Sequence, residues 1–246
     1  MNKTLGFKLG NYQFRARYSL TLSMLIVLSL FLSLGFWQLA RAKEKTNLQE
    51  RFQNRRQAAP VDITQLPANG DIRYQAVTMT GHYDNDHAIL LDNKIYQHRI
   101  GYEVLTPFLL HNGKAVLINR GWIPASKTRA ELPAIPAENG QKTVQGMIYL
   151  PPGKPFTLGK LIENHEQWPL RVQAVQIPML EKTLKQSLYG FLVLLSPQEN
   201  QGFIRDWQPI NMPAHKHLGY AAQWFTFAAV LIIIFTVLNL RKSPKP

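Results

Sequence analysis

His217, Tyr220 and Trp224 are the residues of this chain whose types and spacing offer chemistry most directly. In the run 217–225 (HLGYAAQWF), positions 217, 220, 221, 224 and 228 fall on one face of a helix. Imidazole is the usual protein ligand of a non-covalently held haem iron. A face of aromatic and small residues, with Ala221 and Ala228 leaving room, would suit a flat macrocycle. His217 lies seven residues from Trp224, about 10 Å along a helix rising about 1.5 Å per residue. The plainer reading makes Tyr220 and Trp224 an aromatic belt and His217 an interfacial polar residue. Spacing alone favours that plainer reading.

Other chemical signals are thin. Asp84, Asp86 and Asp92 resemble a calcium loop, but a loop counted from Asp84 requires Gly at 89 and Glu at 95, and both are Ile, so a hairpin turn is predicted. His82, His87, His98, His111 and His165 show neither H-x-x-x-H nor H-E-x-x-H spacing. Ser187 and Ser196 lie outside any G-x-S-x-G motif, and neither a P-loop nor a dinucleotide fingerprint is present. The absence of cysteine excludes disulfides, covalent c-type haem, thiolate clusters and thiol redox chemistry. The pattern points away from an enzyme.

The elements that must position these residues begin with two uncharged apolar stretches, one at 18–40 and one at 217–240. Each holds roughly the 20 apolar residues that cross a bilayer as a helix, so spans are predicted at 20–39 and 220–240. The tails 1–19 and 241–246 carry seven basic residues and no acidic one. Positive charge in short flanking segments stays cytoplasmic, whereas a long domain translocates largely regardless of its charge. Both termini are therefore expected in the cytoplasm and 40–219 outside, with Trp37 and Trp224 at the outer interface. A cleaved signal peptide is the rival for the first span. It is disfavoured because signal h-regions run about 7 to 15 residues and because Phe36 and Trp37 sit where a peptidase needs small side chains. The short first tail leaves little room for a transit peptide, which favours a bacterial inner membrane. Residues 41–219 hold 21 basic and 15 acidic residues without a dense basic tract, so nucleic-acid binding is not expected despite a net charge of +13.

Within the outer region, periodicity predicts a polar helix at 43–59 ending before Pro60. Strands are predicted at 73–83, 87–95, 102–110, 115–122, 143–150 and 191–195, with a short helix at 179–186. His111-Asn112-Gly113-Lys114 reads as a hairpin turn. Short turns between successive strands imply an antiparallel sheet, and proline- and glycine-containing stretches flank the fifth strand at 133–140 and 151–159. Ser29 and Ser33 form a small-xxx-small pair that would let the two spans approach.

Seven blocks then occur in order: 35–39 (GFWQL), 41–45 (RAKEK), 81–84 (GHYD), 91–93 (LDN), 101–108 (GYEVLTPF), 116–124 (VLINRGWIP) and 217–225 (HLGYAAQWF). Together they resemble the surfeit locus family of cytochrome c oxidase assembly factors. The likeness runs from Gly35 to Phe225, with Lys94 where an Arg is expected and little to match over 139–208. It implies a two-span protein whose outer domain assists maturation of the oxidase catalytic subunit, by delivery or insertion of haem a at the outer face. Carried over by position, His217 is the candidate haem contact and iron ligand, with Tyr220 and Trp224 as packing partners. Arg120 and Trp122 are candidate partner contacts. The implied partners are the oxidase catalytic subunit, the haem a synthesis machinery and the lipid bilayer.

The expected fold is an α+β membrane protein with two terminal transmembrane helices flanking a mainly antiparallel, barrel-like β domain. A cofactor-free chaperone for oxidase subunits and a membrane-anchored envelope enzyme remain the alternatives.

Overall fold

The computed structural model describes residues 4–9, 12–67, 70–151, 161–162, 167–208 and 212–242. The stretch expected at 151–159 lies, apart from Pro151, outside the described residues, as do His165, Lys3 and Lys245. The chain divides into two units, one of Met1–Glu50 with Pro209–Pro246 and one of Arg51–Gln208.

The first unit contains strands β1 (Thr4–Leu9) and β2 (Tyr12–Arg17), the first part of helix α1 (Tyr18–Gln57), helix α3 (Ala214–Asn239) and strand β11 (Leu240–Lys242). At 40 residues, α1 is about 60 Å long, about twice the hydrocarbon thickness of a bilayer. The polar helix expected at 43–59 is therefore not separate. Ala40, Arg41 and Ala42 are strong helix formers and carry the first span straight into it. Both α1 and α3 are long and apolar enough to cross a membrane.

The two helices run antiparallel along a seam with coiled-coil spacing. On α1 the less exposed positions include Met24, Leu28, Phe31, Gly35, Gln38 and Ala42, and on α3 His217, Ala221, Trp224, Ala228, Leu231 and Phe235. This alternation of three and four residues is the repeat that lets side chains interdigitate. Gly35 leaves room for the facing helix, since a Cβ there would stand 2.7 Å from the Phe225 ring. Ser29 and Ser33 are exposed instead. The Ser29 hydroxyl donates back to the Leu25 carbonyl, so it needs no partner across the seam.

The second unit contains β3 (Val61–Asp62), β4 (Ala76–Tyr83), β5 (Ile89–Tyr96), β6 (Arg99–Leu110), β7 (Ala115–Pro124), β8 (Lys142–Tyr149), β9 (Leu170–Val172), helix α2 (Ile177–Leu184) and β10 (Leu188–Leu195). Strands β4, β8, β10, β7 and β6 form a five-stranded barrel, closed by pairing of β4 with β6. One edge of the long β6 serves β5 over its first half and β4 over its second. Pro107 stands at that changeover, where its missing N–H breaks no ladder bond and its carbonyl accepts from Asp84 N at 2.9 Å. Most neighbours are antiparallel, as expected. However, β10 lies parallel to β7, β9 to β5 and β3 to β4.

Side-chain alternation fills the barrel with Met79, Tyr83, Phe108, Ile118, Val144 and Val193 among others. The opposite faces of β6, β7 and β10 carry Leu105, Leu117 and Leu192, which α2 and β9 cover with Leu180 and Leu170. Because β7 is buried on both faces, its opening stretch, 115–118, is an unbroken apolar run, and the polar Asn119 and Arg120 that follow are buried too. The aspartate-rich segment after β4 is a short 3-10 turn at Asn85–His87, but it is not the hairpin turn expected there: β4 and β5 are not paired, and the turn carries the chain from one partner of β6 to the next along the same edge.

Gly101 tests how tightly this sheet is packed. A Cβ there would lie 2.1 Å from the Ile123 carbonyl and 2.5 Å from the Trp122 ring, whereas one at Gly190 would meet nothing. Gly101→Ala should destabilise the protein by about 1–3 kcal/mol through overpacking, while Gly190→Ala should leave stability unchanged or slightly raised. Matched thermal midpoints for the two variants would refute the packing described for this corner.

Candidate functional site

The seam between α1 and α3 contains one polar pair. His217 Nδ1 stands 2.8 Å from Gln38 Oε1. Gln38 lies one turn beyond Gly35 on α1, and His217 lies one turn into α3 after Pro213. An amide oxygen only accepts, so Nδ1 carries the proton and donates it to Gln38. The lone pair is then on Nε2, and Nε2 is buried without a hydrogen-bond partner. His217 is 8% exposed. The result is an imidazole fixed in tautomer and orientation, with one unused ligating nitrogen. That is the donor arrangement an axial haem ligand requires, so on this atom the residues fit the group.

Of the trio predicted on α3, the structure brings His217 and Trp224 to the seam and leaves Tyr220 aside. Trp224 packs on Phe31 of α1 with ring centroids 5.8 Å apart, whereas Tyr220 is 46% exposed. A residue three positions on turns about 300°, so Tyr220 stands roughly 60° round from His217 and off the α1-facing stripe. Sequence reasoning missed Gln38. Its signal was available, because Gln38 is the one amide within the apolar stretch 20–39.

Arg120 and Trp122, expected as partner contacts, are both buried. Their environment follows from a bulge in β7. Glu103 pairs with Trp122 and Leu105 with Asn119, so Arg120 and Gly121 together oppose one residue of β6. Gly121 takes φ 115 there, and a Cβ would lie 2.6 Å from the Ile204 carbonyl, which makes glycine the residue the position admits. Asn119 Oδ1 accepts from Gly121 N at 3.1 Å, and its Nδ2 donates to Glu103 at 2.7 Å. Glu103 also pairs with Lys94 at 3.1 Å, and Trp122 Nε1 donates to the Lys94 carbonyl at 3.0 Å. Lys94, the departure from the family pattern, therefore keeps its ion pair.

The bulge turns Arg120 into the end of the barrel. Its guanidinium lies 5.1 Å from the centres of both the Tyr83 and Phe203 rings and donates to the Pro136 carbonyl and Glu138 at 3.4 Å. Burial pushes Arg120 below its ordinary range, with Tyr83 and Glu138 acting in the opposite sense. Burial likewise raises the Tyr83 hydroxyl, against a smaller lowering by Arg120. A separate cavity of about 370 Å³ opens in this unit, lined among others by Phe52, Arg56, Met147, Leu194, Arg205 and Trp207.

A raised tyrosine pKa contributes stability below the unfolded value, about 10, and loses it as pH rises further. Tyr83→Phe should therefore flatten the fall in thermal midpoint between about pH 9 and about pH 11. At neutral pH the loss should be small, since the Tyr83 hydroxyl has no partner. An unchanged alkaline slope would remove Tyr83 as its source.

Gln38, the bulge at Arg120 and Gly121, and His217 all fall within residues 25–229, the segment that matches the SURF1 family. The SURF1-like protein of Rickettsia bellii is 27% identical over 224 residues, spanning 88% of this chain and 89% of its own length. That of Caenorhabditis elegans is 26% identical over 231 residues, spanning 82% of this chain and 68% of its own. In Dictyostelium discoideum the SURF1-like protein is 25% identical over 253 residues, with 86% and 93% covered. Two apolar terminal helices, the head barrel and a family match over most of the length agree, and the chain belongs to the SURF1 family.

Proposed function

We propose that this protein is a cytochrome c oxidase assembly factor that assists maturation of the catalytic subunit by holding haem a at the outer membrane face. The observation that carries this reading is the buried, unpartnered Nε2 of His217, fixed by the Nδ1 bond to Gln38. Bound haem a would supply an iron that accepts an imidazole nitrogen, and His217 would hold it. Gln38 holds the ring in the tautomer that leaves the lone pair on Nε2, and side chains covering that buried atom would have to move aside to admit the iron. Trp224 packs in the same seam on Phe31, and the exposed Tyr220 would add an aromatic contact to the bound group. The role is binding and handover rather than catalysis.

The remaining expectations take their place within this reading. With both basic tails on the cytoplasmic side of an inner membrane, the head domain stands outside it. There the barrel would receive the oxidase catalytic subunit and work beside the haem a synthesis machinery. The cavity lined by Phe52, Met147 and Trp207, with Arg56 at its wall, is an amphipathic surface suited to a client segment.

The test is co-production with haem a synthesis, purification in detergent and Soret absorption. Native protein should carry pigment and His217→Ala should lose it. Gln38→Leu should weaken retention by about 10–100-fold, the usual cost of removing a partner that orients a ligand. Equal pigment in native protein and His217→Ala would eliminate the ligand role. Colourless native protein would instead leave a cofactor-free chaperone for oxidase subunits.

A further inference from the structure

The basic tails are not formless: β1, β2 and β11 form a three-stranded antiparallel sheet at the end of the helix pair that holds Tyr18 and Asn239. Its register sorts the residues by chemistry. Leu5 pairs with Ala16, Phe7 with Phe14, and Leu240 with Phe14, so these share one face with Tyr12. Arg15, Arg17 and Arg241 stand at the alternate positions, exposed on the other face. Lys242, opposite Tyr12, ends the apolar side.

The apolar face is only partly covered. Phe14 packs on Phe235 of α3 at 6.0 Å and stacks on Phe7 at 5.2 Å, and Ala16 is buried. Phe7 nonetheless remains 54% exposed, and Leu5 and Tyr12 are also exposed. At the adjoining helix ends Leu20, Leu22, Val237 and Leu238 are exposed as well. A soluble environment would leave that patch in water. An interface with an apolar depth and anionic headgroups would cover it and neutralise the arginines, the logic by which amphipathic surface elements bind membranes.

We propose that this sheet is an interfacial anchor for anionic phospholipid, its aromatic face at the acyl boundary and its arginines among the headgroup phosphates. The inference rests on α1 and α3 spanning the bilayer. Arginine suits the phosphate contact because its guanidinium fork donates to two oxygens at once. The sheet would hold the ends of the hairpin at a defined depth, independently of what the other end binds.

The cysteine-free chain permits a direct test. Full-length Phe7→Cys, Arg15→Cys and Ile26→Cys variants are each labelled with an environment-sensitive fluorophore and reconstituted into vesicles of phosphatidylcholine, alone or mixed with phosphatidylglycerol. The label at 7 should be blue-shifted and quenched by doxyl lipids, more so with phosphatidylglycerol, and the label at 15 should stay water-like. Adding Arg15→Gln, Arg17→Gln and Arg241→Gln to Phe7→Cys should abolish the phosphatidylglycerol dependence. Lipid quenching at 26 with a water-like label at 7 would overturn the anchor and keep the spans. Water-like labels at both 7 and 26 would overturn the spanning reading itself. Equal quenching at 7 in the two lipid mixtures would overturn the role of anionic headgroups.

Discussion

Two apolar helices in lipid gain little by hiding their side chains from each other, because the surrounding tails are just as apolar. Direction and register must then come from shape and from the few polar bonds available. In this protein they come from two adjacent turns of α1, where Gly35 admits the Phe225 ring and Gln38 meets His217 at 2.8 Å. A slip of one residue would turn the amide away from the imidazole and strand two polar groups, at about 1–3 kcal/mol each. The same bond that sets the register also leaves Nε2 as the nitrogen without a hydrogen-bond partner. Helix register and imidazole tautomer are thus two results of one contact.

A backbone constraint plays the corresponding part in the head. Strand β6 must serve β5 and β4 along one edge, and Pro107 marks the changeover. Across its other edge, the bulge in β7 re-aims Arg120 into the barrel, where the Tyr83 and Phe203 rings flank it. The block at 119–122 makes internal bonds: Asn119 ties Gly121 to Glu103, and Trp122 ties β7 to β5. These residues form the framework of a barrel corner.

Local pattern carried much of this into the sequence. The strands at 76–83, 115–124 and 142–149 were legible, as were both apolar helices and the turn at 111–114. Long-range pairing was not. Nothing in the run 188–195 announces that β10 inserts between β7 and β8 with one parallel neighbour. The tail sheet was hidden because short segments of mixed arginine and aromatic residues look like a charged flank until β2 pairs with a strand more than two hundred residues away. On α3 the helical wheel grouped Tyr220 with His217, but the seam repeat of three and four residues admits 217, 221 and 224 and excludes 220. Gln38 went unnoticed because its role depends on a partner in the other helix.

The position of β10 in the barrel also has a kinetic side. β10 is the last strand of the head to be synthesised, yet it sits between β7 and β8, whose facing edges stay bare until it arrives. Closing the ring therefore waits on ribosomal progress past residue 195, and during that interval two strand edges are open to pairing with other chains. Such late, non-local closure makes folding slow relative to a sheet built from sequential hairpins. A polypeptide terminated before Leu188 would lack the staves to close its barrel and would be a substrate for quality-control proteases rather than a shortened working protein.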